Sequence, residues 1–237
     1  MAIDDLPGPV VNFLNVIGVP WPYVNEDTVT QFATLTREFG QAVQTTHQDA
    51  TAAINGIKQA HTGASTEVMK SGWSTMSAQH VDELVTGCHV LADALDVAAG
   101  YIVAQKVEAI ATLVGMAAAF VADQAAAVAT FGLAEAAVPV IIEGAERLVK
   151  SLVMDLQQYI VGKVIEAAAK PLFAKVEAAM AGLDWSQSGA AANGAQSTGF
   201  SVDPQAVRIQ TAALRTHAAT MRAHGANFQQ GVRGLSF

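Results

Sequence analysis

With 237 residues, 51% apolar and only 14% charged, the chain is long enough for one sizeable helical domain, or for a domain with an appendage. The formal charge of −8 is uneven: residues 1–200 carry nine basic and twenty acidic side chains (−11), whereas residues 201–237 carry Arg208, Arg215, Arg222 and Arg233 against Asp203 (+3). An acidic body argues against nucleic acid, the basic tail suits an acidic partner, and the single cysteine, Cys88, excludes an intrachain disulfide.

The start, Met1–Asp5, is acidic and lacks the basic-then-apolar order of a cleaved signal peptide. Val10–Ile17 reads as a short apolar helix stopped by Gly18. Pro20-Trp21-Pro22-Tyr23 is then rigid and extended, because each proline fixes φ and moves the preceding residue out of the α region. Asn25 or Asp27 can cap the helix that follows.

That helix, from about 28 to 61, carries two seams at seven-residue spacing. One is Val29, Thr36, Val43, Ala50 and Ile57; the other is Phe32, Phe39, Thr46, Ala53 and Ala60. His61–Ser65 reads as a break or only a weak point, and Ser71-Gly72-Trp73-Ser74 is the predicted turn. A second heptad stretch continues with Val81, Cys88, Leu95 and Ile102 beside Leu84, Leu91, Ala98 and Gln105. Matching seams joined by a turn predict an antiparallel hairpin over 28–106, with Trp21, Gly72 and Trp73 anchoring its ends.

Residues 107–142 are apolar nearly all round, which predicts helices buried on all sides or facing lipid. Within this stretch the uncharged run Ala109–Ala122 has 14 residues, short of the roughly 20 that a membrane span needs. Pro139 is expected to start or kink a helix, and amphipathic order returns over 143–182. These parts make up a predicted bundle over 1–185. Residues 186–200 read as a flexible linker by composition.

Asp203-Pro204 opens a last helix with a cap and a first-turn proline. Val207, Leu214, Met221 and Phe228 recur every seven residues, flanked at the same spacing by Arg208, Arg215 and Arg222. Without a hairpin mate in the chain, this helix over 201–237 is predicted to be a partner-binding arm or the start of a further domain. The fold class that follows is all-α: an elongated bundle built on a long hairpin, with a linker and a C-terminal helix.

Catalytic signatures are missing from the sequence. His217 and His224 are seven apart rather than four, and no GxSxG, P-loop or GxGxxG opening a helix occurs. No catalytic, cofactor or metal residue is assigned, and no cofactor is expected.

The Trp21-Pro22…Glu26-Asp27 order, the two long helices around Gly72-Trp73 and the Ala-rich core together resemble the N-terminal WXG-type domain of large actinobacterial polymorphic toxins. The domain that begins the mycobacterial channel-forming necrotizing toxin is similar. The resemblance covers about residues 10–180. It implies export through type VII (ESX) secretion to the cell surface or beyond, with a small WXG-type helical partner, the secretion motor ATPase and a C-terminal toxin. After Trp73 come Ser74 and Thr75 in place of the literal Trp-x-Gly. The family's Tyr-x-x-x-Asp/Glu export spacing is met by Tyr23 and Asp27, ahead of the first long helix, whereas Tyr101 is followed by Gln105. The expected function is therefore a non-enzymatic targeting and docking domain of an exported effector. The alternatives are a membrane-inserting or pore-forming module, motivated by 107–142, and a cytosolic chaperone or immunity partner of a toxin.

Overall fold

The computed structural model describes residues 6–129, 137–181 and 201–236. Gly18 ends the first helix, α1 (Gly8–Ile17), in the left-handed region at φ 73°, where a side chain would be strained. The extended Pro20–Tyr23 segment leads to α2 (Glu26–Ala60), which Asn25 caps by accepting the Thr28 N–H at 3.1 Å. A two-residue strand, β1 (His61–Thr62), separates α2 from α3 (Ala64–Met76). A π-helical segment, Ser77–Val81, joins α3 to α4 (Asp82–Ala129). Then come α5 (Val138–Tyr159, with Pro139 in its first turn), a second π-helical stretch (Ile160–Ala169), α6 (Lys170–Ala181), β2 (Ser201–Val202) and α7 (Pro204–Arg233). The fold is all-α, apart from the short antiparallel pairing of His61 with Val202 and Thr62 with Ser201.

The chain packs as two units. One comprises the described residues up to Gln31, Ala94–Glu166 and Ser236; the other comprises Phe32–Asp93 and the described part of Ala167–Leu235.

In the first unit, α1 buries Val10, Phe13 and Leu14, and the Phe13 ring packs against Phe120 at 5.3 Å. Trp21 is buried. Leu95, Ala98 and Ile102 are buried along α4, and Tyr101 stacks on Tyr159 at 4.0 Å.

In the second unit, the seam Thr36, Val43, Ala50 and Ile57 of α2 is buried, as are Cys88 and Leu91 of α4. A Cβ on Gly40 would lie 2.9 Å from that of Cys88, so the two helix backbones approach closely there.

Three expectations need correction. The hairpin turn is at His61-Thr62-Gly63, not at Gly72-Trp73, which lie inside α3. The chain breaks where β1 is held by β2 and where the Thr66 and Glu67 N–H groups turn back onto the Gly63 carbonyl. Gly72 is tolerated mid-helix at a modest propensity cost.

Second, α7 has a mate. It runs antiparallel along α2: Gln210 meets Gly56, His224 bonds Thr46 at 2.9 Å, and Phe228 stacks on Phe39 at 4.8 Å and lies 6.5 Å from Phe32. Pairing of β1 with β2 delivers its start to the end of α2, and the Asp203 N–H donates to the Ala60 carbonyl.

Third, of the two placements expected for the apolar stretch, burial on all sides does not hold. Of its described residues, Ala109, Leu113 and Ala117 are buried, while Val107, Val114, Val121 and Val140 face outward. The linker 186–200, the end of the body at 182–185 and Glu135 lie outside the described residues.

Candidate functional site

The N-terminal approach to α2 is pinned by a buried cation. Lys106, wholly inaccessible, places its ammonium 2.9 Å from a Glu26 carboxylate oxygen and also donates to the Val24 carbonyl. A buried ammonium must be paired, and a carboxylate in a helix's first turn is favoured by the helix dipole. The pair therefore fixes the chain between the Pro-Trp-Pro segment and α2 against α4. The sequence carried one sign of this: Lys106 is the sole Lys or Arg between Lys70 and Arg147.

On that approach, Trp21 is buried with its indole N–H lacking a partner, so it anchors by packing rather than by hydrogen bonding. Tyr23, 69% exposed, and Asp27, half-buried, flank the pinned segment. Tyr23 is thus displayed on a fixed stretch of chain.

In the second unit, Trp73 stands in α3. Its indole N–H donates to Thr51 Oγ1 at 2.9 Å, and its ring stacks on His47 at 5.0 Å and 14°. His47 Nε2 in turn meets Ser77 Oγ at 2.6 Å. Burial holds the His47 imidazole below its ordinary pKa of 6.5, partly opposed by the Asp82 carboxylate. Trp73 is an internal strut of the hairpin rather than a cap at its end, and Gly72 beside it is exposed. Burial likewise pushes the Cys88 thiol up to about 11, away from nucleophilic use at neutral pH.

The predicted partner-binding residues divide by face. Val207, Leu214, Met221 and Phe228 are half-buried, and Arg208, Arg215 and Arg222 are exposed. Among the described residues, no group of three or more His, Cys, Asp or Glu side chains gathers as metal ligands would.

A surface missed in the sequence runs along α4 in the first unit. Val97, Val107, Val114 and Val121 are exposed, from 44% to 64%, with Ala104, Ala111 and Ala118 between them. The seven-residue recurrence of Val107, Val114 and Val121 was the available signal. It was masked because the opposite face of the helix is also apolar, leaving no contrast in polarity.

A family model described as the WXG100 like domain matches residues 3–144, more than half of the chain and the part that runs from α1 through α4 into α5. The chain belongs to the WXG100-like domain family. No curated protein and no solved structure matches it. The WXG100-like family is a non-enzymatic, helical family associated with type VII secretion. In this WXG100-like domain the match takes in the pinned segment, the hairpin turn at 61–63 and the exposed valine face, and stops short of α7.

Proposed function

We propose that this WXG100-like domain is the targeting and docking part of an exported type VII effector, recognised by a small WXG-type helical partner and the secretion motor ATPase. The family match over residues 3–144 carries the reading. The geometry adds two supports. Tyr23 and Asp27 have the export spacing on a held segment, with Tyr23 exposed and Asp27 half-buried. The valine face of α4 offers a partner helix an apolar seam. Phe228 of the α7 seam lies against α2, while the exposed Arg208, Arg215 and Arg222 flank is open to an acidic partner or to the motor. A toxin carried with the domain and delivery to the cell surface or medium belong to this reading.

Export tests it. The chain is expressed in an actinobacterial host with and without the motor ATPase, and the medium is blotted. ATPase-dependent appearance outside, lost in Tyr23→Ala, is expected. Retention in both strains, with a control substrate exported, would leave a cytosolic chaperone or immunity role.

A membrane-inserting role is the second reading. One observation favours it: Asp82–Ala126 is long and apolar enough to cross a membrane, and only 17% of its most apolar window is buried. Asp123 opposes it, since a carboxylate at mid-bilayer costs roughly 2.5–3.5 kcal/mol on insertion scales. Dye release from liposomes separates the two readings, because a docking domain releases none.

A further inference from the structure

The second unit holds a half-open pocket of about 730 Å³ that neither the family nor the export reading uses. Helices α2, α3 and α7 and the start of α4 wall it. Its size falls within the range of small-molecule sites, roughly 300–1,000 Å³.

The chemistry of the wall selects the occupant. Among the described residues, no Asp, Glu, Lys or Arg lines it. Three of the chain's seven methionines do (Met69, Met76 and Met221), together with the Trp73 ring. Thioether side chains adapt to variable apolar shapes, and an indole face adds a large flat contact. Water is a poor occupant, because apolar walls offer it too few hydrogen-bond partners. A peptide is also poor, because its amides would lose hydration without replacement. An anionic lipid finds no Lys or Arg among the described residues of the wall. Two of the polar groups present are spent on neighbours outside the wall: His47 meets Ser77, and Trp73 meets Thr51. Ser65, Gly72 and Ala218 are exposed and form the way in. There Ser65, with the half-buried His217, can meet one small polar end.

We infer that this pocket binds a neutral single-chain lipid, its hydrocarbon between α2, α3 and α7 and its uncharged polar end at the Ser65–His217 rim.

The test titrates the full chain with the neutral fluorophore N-phenyl-1-naphthylamine and displaces it with 1-hexadecanol, monopalmitoylglycerol or palmitate. One saturable site per chain is expected, with both neutral lipids displacing the probe at least about ten-fold better than palmitate. Gly72→Leu with Ala218→Phe narrows the rim. No atom lies within 4 Å of a Cβ on Gly72, and both positions are exposed, so the helical circular dichroism should be unchanged while probe affinity falls. Met221→Lys, which places a cation in the wall, should reverse the preference towards palmitate. Val114→Ser with Val121→Ser, on the outer face of α4, should leave binding as it is. The proposal falls if no saturable site is found, if palmitate competes as well as the alcohol in the unaltered chain, or if only the valine variant loses the probe.

Discussion

The Lys106 ammonium lies 2.9 Å from the Glu26 carboxylate, with Lys106 wholly buried and Glu26 nearly so. Removing one partner strands a buried charge, so Lys106→Ala should cost about 3–5 kcal/mol. Replacing both, as Glu26→Leu with Lys106→Met, should recover much of that loss, because an apolar pair needs no solvation. Urea unfolding of the two variants decides it. Equal destabilisation would show that the charge pair is not what holds this segment.

Two glycines in helices should respond oppositely to alanine. Gly72→Ala meets nothing within 4 Å and should stabilise by about 0.5–1 kcal/mol through helix propensity. Gly40→Ala places its Cβ 2.9 Å from the Cβ of Cys88, a rigid neighbour, and overpacking of this kind costs about 1–3 kcal/mol. Thermal unfolding reads both. Destabilisation by Gly72→Ala would restore the turn to that position.

His47 makes stability depend on pH. Burial lowers its folded pKa, so between 6.5 and that lower value the unfolded chain binds the proton and the folded chain does not. Its contribution is complete above pH 6.5 and is lost as pH falls through the folded pKa. His47→Phe keeps an aromatic ring against Trp73 without titrating. The unaltered chain should lose more stability than this variant from pH 7.5 to 5, measured as urea midpoints at each pH. Parallel curves would remove His47 from the account.

Phe228 ties α7 to α2 through Phe39 and Phe32. Because the ring is half-buried, Phe228→Ala should cost about 2 kcal/mol, below the 3–5 of a fully buried phenylalanine. Amide exchange gives the sharper readout: α7 should be protected in the unaltered chain and exchange faster in the variant. Rapid exchange of α7 in both would return it to the status of a free arm.

The sequence by itself determined most of the helices and the face that α2 buries. Heptad recurrence at Thr36, Val43, Ala50 and Ile57 is a local property of a 3.6-residue turn, and those side chains are the buried ones. Gly18 as a stop, and Asn25 and Asp203 as caps, were legible for the same reason: a cap acts within its own turn. Only the tertiary structure decided the rest. The turn at 61–63 depends on β1 meeting β2 about 140 residues later in the chain, an energy that no local window contains. The pairing of α7 with α2 and of Lys106 with Glu26 is equally non-local. The exposure of Val107, Val114 and Val121 followed from which side of an evenly apolar helix the neighbouring helices happened to cover, and periodicity cannot choose between two apolar sides.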